Sequence, residues 1–171
     1  EAPSLQWIQV FNAGIDHPVF GMLRAKGLRL TTGSGTSAVP IAHHVVMCLL
    51  ALARDLPGFL AEQQRHEWRP RPVGDLEGRT MGVLGMGRIG TEVAKRALAF
   101  GMKVVGYDPF LTEARARALG VELAAELDDV YQVADFITVH MPVTEQTKGM
   151  LNATAFAKMK PGVRIVNCAR G

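Results

Sequence analysis

From Thr80 onward, short apolar runs alternate with stretches of helical period. Thr80 to Gly85, Lys103 to Tyr107, Asp135 to His140 and Val163 to Cys168 read as strands. Between them, Arg88 to Phe100, Thr112 to Leu119, Glu126 to Gln132 and Asn152 to Met159 read as helices. In the first of these helices Ile89, Val93 and Ala97 recur at i, i+4 and i+8 and form one face. Gly101 stands where a helix C-terminal glycine belongs. Strands alternating with helices predict a parallel α/β sheet.

The part before Thr80 is less regular. Leu5 to Phe11 is a β-rich run ended by Asn12, Ala13 and Gly14. Pro18 to Lys26 reads as a short helix closed by Gly27, and Leu28 to Thr32 alternates as a strand does. A small, polar loop to Ser37 leads into a long helix, Val39 to Arg54. That helix is apolar almost all round, so it must be buried on more than one side. Pro57 breaks it or starts a new one. His66 to Arg79, with Pro70 and Pro72, is a polar connection into the regular part.

Composition narrows the function classes. Hydrophobic residues make up 48% and charged residues 20% of the 171, an ordinary globular balance. The longest purely apolar run, Val45 to Ala53, is far shorter than the roughly 20 residues a membrane span needs. The first residues have neither the basic start nor the apolar stretch of a signal peptide. Cys48 and Cys168 have no metal-ligand spacing and read as free thiols in a reducing compartment, so a cytoplasmic location is expected. The net charge is +3, but the basic residues are scattered and form no stripe interleaved with aromatics. Neither nucleic acid nor a membrane is an expected partner. A modest positive balance suits anionic cofactors and acids.

Gly85-Met-Gly87-Arg88-Ile89-Gly90 fits the pattern G-x-G-x-x-G, which is weak alone and strong in context. A strand precedes it, a helix begins within it, and the next strand ends at Asp108, eighteen residues after Gly90. That offset is where a dinucleotide fold places the acid for the adenosine ribose. Gly85 permits the tight turn, Gly87 lets the backbone approach a pyrophosphate, and Gly90 lets helix and strand pack closely. The helix N-terminus offers free N–H groups to phosphate, and Arg88 can add a charge-assisted bond. The expected fold is a Rossmann-type doubly wound parallel sheet, and the expected cofactor is NAD. A carboxylate at Asp108 would repel the 2′-phosphate of NADP, and Pro109, Phe110 and Leu111 supply no cation to hold it. A second match, Gly33-Ser-Gly35-Thr-Ser-Ala38, lacks a following strand that ends in an acid, and reads as an ordinary loop into a helix.

Five segments together resemble the D-2-hydroxyacid dehydrogenase family. Leu5 to Asp16 resembles its substrate-domain loop, and Ile41-Ala-His-His-Val-Val46 the start of its linking helix. Gly85 to Gly90 with Asp108 resembles its dinucleotide fingerprint. Thr138-Val-His140-Met-Pro142-Val-Thr-Glu-Gln-Thr147 resembles its adenine-side loop, and Val166-Asn-Cys168-Ala-Arg170-Gly171 its catalytic arginine motif. The family includes phosphoglycerate, hydroxypyruvate, glyoxylate, D-lactate and formate dehydrogenases.

The resemblance implies roles for particular residues. Arg170 would bind the substrate carboxylate and polarise the keto oxygen. Ala13 and Gly14 would offer backbone N–H groups to the carboxylate of a small 2-keto or 2-hydroxy acid. His140, Pro142 and Thr147 would line the adenosine side, or else form only a strand end and a proline turn. The Cys168 carbonyl would hold the nicotinamide carboxamide, its thiol merely filling space. The family's acid–base histidine and its orienting glutamate follow the arginine motif and would lie beyond Gly171. The chain therefore reads as a fragment: residues 1–36 from a substrate domain, residues 37–171 the linking helix and NAD-binding domain. His43 stands where the family usually has glutamate. With His44 it makes a poor metal pair, because adjacent helical residues point about 100° apart, so packing and capping are expected and no metal. The linking helix, Val39 to Arg54, would lie at a homodimer interface or be buried within one chain. The implied reaction is reversible hydride transfer between NADH and a 2-keto acid, and the Asn12 to Asp16 loop leans towards glyoxylate or hydroxypyruvate. The alternative is a non-enzymatic, NAD-responsive binding protein like the co-repressors that resemble this family. Fold and fingerprint do not separate the two.

Overall fold

The computed structural model describes residues 4–15 and 17–169. They fall into two compact units that divide between Ala38 and Val39.

In the first unit, strand β1 (Trp7–Val10), helix α1 (Pro18–Ala25) and strand β2 (Arg29–Thr32) form a small crossover. The two strands pair in parallel, Trp7 with Arg29 through Val10 with Thr32. A side-chain nitrogen of His17 caps α1 by accepting the Val19 N–H, and Pro18 occupies the first turn, where a missing N–H costs nothing.

The second unit opens at the second residue of α2 (Ala38–Ala53), which is followed by α3 (Leu56–Gln64). Pro57 therefore starts a new helix, and Asp55 turns the chain between the two with φ 51°. Next come β3 (Thr80–Leu84), α4 (Arg88–Ala99), β4 (Lys103–Tyr107), α5 (Glu113–Ala118) and β5 (Glu122–Leu123). They are followed by α6 (Leu127–Val133), β6 (Phe136–Val139), α7 (Ala153–Lys158) and β7 (Arg164–Asn167). The five strands lie in the order β5-β4-β3-β6-β7, all parallel. This is the doubly wound order expected of a Rossmann-type sheet.

Both faces of the sheet are covered, which is why β3 and β6 are buried almost throughout rather than at alternate residues. Successive residues still point to opposite faces. Met81, Val83 and Phe136 join a core with Ala42, Val45 and Leu49 of α2 and Val93 and Ala97 of α4. Leu84, Ile137 and Val139 join the other, with Val130 and Tyr131 of α6 and Ala155 of α7.

Local chemistry sets the helix ends. Thr112 and Asn152 cap α5 and α7 through side-chain oxygens, and Glu126 with Asp129 forms a reciprocal capping box on α6. Thr112, Asn152 and Glu126 are caps outside the regular helix, so the helices are slightly shorter than their sequence pattern. Gly101 follows α4 with φ 71°.

One element has no counterpart in the sequence pattern. β5 is two residues long and pairs only with Val105 and Gly106, too short for a period to show.

The burial expected for α2 is met on one side only. Ala42, Val45, Leu49 and Ala53 are enclosed, while Met47 is 56% exposed and Leu52 38%. His43 and His44 are exposed, so they do not pack into the core as expected. Their rings instead meet Arg96 at 3.3 Å and the Cys48 sulfur at 3.6 Å. No group of three or more potential metal-binding side chains occurs among the described residues. No single helix among them is long and apolar enough to cross a membrane.

Candidate cofactor site

The glycine loop follows β3, the strand from which the sheet builds outward in both directions. β4 lies on one side and β6 on the other, so the loops after β3 and β6 diverge. Open α/β sheets bind ligands in the crevice this creates. Here it is a cleft of about 510 Å³, lined by Gly85, Gly87, Asp108, Phe110, His140, Pro142 and Thr147 among others.

Each glycine of the fingerprint answers to a different constraint. Gly85 has φ 95°, and a Cβ there would lie 2.9 Å from the carbonyl carbon of His140. At Gly90 a Cβ would lie 2.0 Å from the Gly85 carbonyl oxygen, so α4 can start this close to the loop only without a side chain. Gly87 is different: a Cβ would meet no protein atom within 4 Å. Internal packing does not demand glycine at that position, whereas close approach of a ligand to the backbone does. Gly87 is also the N-cap of α4 and supplies no side-chain cap, and a helix N-terminus is the end that favours an anion.

Asp108 stands at the C-terminal end of β4. One carboxylate oxygen accepts the Met86 N–H at 2.8 Å and the other accepts the Phe110 N–H at 2.8 Å. The same carboxylate thus holds the glycine loop and the cleft rim, and its remaining lone pairs can accept ribose hydroxyls. Gly85 is fixed to this strand by donating its N–H to the Tyr107 carbonyl at 2.8 Å. A more open depression of about 620 Å³ lies beyond Asp108, beside Glu113 and Arg117. It lacks both the glycine loop and the helix terminus, so the smaller cleft is the better cofactor site.

His140 forms the opposite wall. Its Nε2 lies 2.9 Å from the Thr138 hydroxyl, and its Nδ1 is buried without a partner. Burial lowers its pKa from 6.5 to about 4, so the ring is neutral near pH 7. The Thr147 hydroxyl donates to the Pro142 carbonyl at 2.6 Å and accepts the Thr144 N–H at 2.8 Å, which folds the loop upon itself.

The remaining residues with expected roles lie elsewhere. Arg88 is the exposed first residue of α4, and Ile89 packs its side chain against the core. Half-buried Cys168 follows β7 and packs against the same core, its thiol pKa raised mainly by burial. Ala13 and Gly14 lie in the first unit, between β1 and α1. Arg170 lies outside the described residues. Phe110, Met141 and Met150 line the cleft without having been anticipated from the sequence. Phe110 carried a signal, as the second residue after the acid that ends a strand.

Residues 46–171 match the family described as "D-isomer specific 2-hydroxyacid dehydrogenase, NAD binding domain". The chain belongs to this family. The D-3-phosphoglycerate dehydrogenase of Mycobacterium tuberculosis is 41% identical over 99% of this chain and 32% of its own length. That of Bacillus subtilis is 40% identical over 98% and 32%. Among solved structures, the D-lactate dehydrogenase of Aquifex aeolicus, complexed with NAD and lactic acid, is similar with a TM-score of 0.87. It is 32% identical, over 99% of this chain and 51% of that one. The D-mandelate dehydrogenase of Rhodotorula graminis gives a TM-score of 0.88 at 26% identity, over 98% and 52%. The chain spans about a third of the length of these curated relatives.

NAD is the cofactor of this 2-hydroxyacid dehydrogenase domain, and the cleft fits it. The open space beside Gly87, the start of α4 without a side-chain cap and the Asp108 carboxylate are the kinds of group that a pyrophosphate and a ribose require.

The neutral, half-buried His140 makes a stability prediction. Between about pH 4 and 6.5 the unfolded chain binds a proton at this ring that the folded chain does not. Its contribution to stability is therefore complete above the unfolded pKa and is lost as pH falls towards the folded one. Urea denaturation at pH 7 and pH 5 should show His140→Gln losing less stability than wild type, by on the order of 1–2 kcal/mol. Equal losses in both proteins would show that the ring is not held neutral.

Proposed function

We propose that the full-length protein is an oxidoreductase that transfers a hydride between NAD(H) and a small D-2-hydroxy or 2-keto acid. The observation that carries this reading is the convergence of Gly85, Gly87, Asp108 and His140 on one cleft at the sheet's switch point. Each relative named above is a dehydrogenase, which supports an enzyme over an NAD-responsive binding protein.

When bound, NAD supplies the hydride acceptor at its nicotinamide ring, and NADH the donor. The N–H groups at the start of α4, with Arg88 beside them, hold the pyrophosphate. Asp108 accepts the ribose hydroxyls, and His140, Pro142 and Thr147 line the adenosine side. The Cys168 carbonyl orients the nicotinamide carboxamide. Arg170 binds the substrate carboxylate and stabilises charge on the keto oxygen, and Ala13 and Gly14 offer N–H groups to the same carboxylate. Residues 1–36 are then part of a substrate-binding domain, and residues 37–171 the linking helix and cofactor domain. The division between Ala38 and Val39 supports this split. The two free thiols suit a reducing, cytoplasmic compartment.

Steady-state assays of the full-length protein test the reaction. The panel is 3-phosphoglycerate, glyoxylate, hydroxypyruvate and D-lactate, each in the direction its oxidation state requires. At least one should turn over, and Arg170→Ala should lower kcat/KM for it by roughly a hundredfold or more. Arg170→Lys should recover only part, because a point charge cannot make two parallel bonds to a carboxylate. An unimpaired Arg170→Ala enzyme would overturn the assignment of the arginine. Tight NADH binding without turnover of any 2-hydroxy or 2-keto acid would favour the binding protein.

We also propose a homodimer built on α2. An apolar groove of about 660 Å³ runs along it, with Val46, Met47, Leu50 and Phe100 in its wall. Exposed apolar surface of this kind marks association. Light scattering should give twice the monomer mass for the full-length protein, and Met47→Glu should shift it towards the monomer. A wild-type monomer at micromolar concentration would contradict the dimer.

A further inference from the structure

Thr138 is the one fully enclosed polar residue among the described residues. It lies in the middle of the sheet on β6, whose other residues are Phe136, Ile137 and Val139. Its partners on the neighbouring strands are Val83 and Val166. Valine, with the same shape, would suit the position without placing a hydroxyl in an apolar layer. A buried hydroxyl is costly unless it is hydrogen-bonded, so a buried polar residue in such a strand requires an explanation.

The explanation lies two residues on. The Thr138 oxygen is 2.9 Å from His140 Nε2. The other ring nitrogen, Nδ1, is shielded and has no partner. The bond to Thr138 is therefore the single polar restraint on a ring that forms one wall of the cleft. Without it the ring has no hydrogen bond to fix its rotation about χ2, which is a soft torsion for histidine.

We infer that Thr138 is a positioning residue for cofactor binding: from inside the sheet, its hydroxyl fixes the His140 ring as the wall against which the adenosine half of NAD packs. The inference rests on the cofactor reading of the cleft proposed above. Thr138 itself touches no ligand and acts only through His140.

The test uses the full-length protein with NADH, ADP-ribose and reduced nicotinamide mononucleotide as probes. ADP-ribose carries the adenosine half, and the mononucleotide lacks it. Thr138→Val should raise the Kd for NADH and for ADP-ribose by the same factor, about three- to tenfold, the value of one hydrogen bond. The KM for the mononucleotide should stay within twofold. Thr138→Ser, which keeps the hydroxyl, should restore wild-type affinity. In a His140→Ala background Thr138→Val should have no further effect on ADP-ribose, because the ring through which it acts is gone. Unchanged ADP-ribose affinity in Thr138→Val, or an additive effect in the His140→Ala background, would overturn the inference. If Thr138→Val fails to fold, Thr138→Ser and hydroxyl-free Thr138→Ala are compared instead. The inference then requires weakened ADP-ribose binding in Ala alone, and equal affinity in the two overturns it. Failure of the cofactor reading itself gives a different result: ADP-ribose would then not compete with NADH in the wild-type protein.

Discussion

The Asp108 carboxylate is the tie on which the site depends. A glycine loop that must present its backbone to an anion cannot be packed rigidly from above, because the ligand needs that space. It has to be held from the side. Asp108 does this by accepting the Met86 N–H with one oxygen and the Phe110 N–H with the other. The bond from Gly85 N–H to the Tyr107 carbonyl continues the β3–β4 ladder to the point where the loop leaves the sheet. The turn at Gly85 and the close start of α4 at Gly90 complete the loop, and both place backbone where a side chain would collide. The result is an anion-accepting helix end beside a carboxylate, an arrangement that suits a pyrophosphate next to a ribose diol and disfavours a phosphate on that ribose.

The sheet supplies the rigidity this needs. β3 and β6 are enclosed on both faces, by α2 and α4 on one side and α6 and α7 on the other. Their C-terminal ends therefore serve as fixed posts, with Gly85 and His140 at their tips. The His140 N–H donates to the Leu84 carbonyl at 2.8 Å, so β6 cannot shift against β3, moving His140, without breaking that bond. The cleft wall and the glycine loop are thus set by the same strand register, Leu84 against Val139.

Much of this was legible in the sequence because its determinants are local. The apolar runs at β3, β4, β6 and β7, the helix period of Ile89, Val93 and Ala97, and the offset from Gly90 to Asp108 are all short-range patterns, and each corresponds to an observed element. The apparent second fingerprint at Gly33 is equally explained: a Cβ there would overlap the Phe11 carbonyl, so glycine is demanded by packing within the first unit and not by a ligand. What escaped the sequence depends on contacts made only after folding. β5 exists because Glu122 and Leu123 meet Val105 and Gly106. The link from Thr138 to His140 exists because a strand repeats every two residues and the last of the pair stands at the strand end. α2 was expected to be covered on more than one side, and its outer face is open because burial reflects neighbours that a single helix pattern does not specify. The roles of Arg170, Ala13 and Gly14 came from resemblance alone, and the substrate half of the proposed reaction rests on them.

Comparative binding of NADH and NADPH is the sharpest test of the place given to Asp108. If Asp108 holds the loop and meets the ribose, isothermal titration of the full-length protein should give NADH the lower Kd by at least roughly tenfold. Asp108→Ala should weaken NADH while narrowing the gap to NADPH, because one substitution removes both the ribose acceptor and the repulsion of the extra phosphate. Equal affinities in the wild-type protein, or an Asp108→Ala protein that binds NADH as tightly as wild type, would contradict that role.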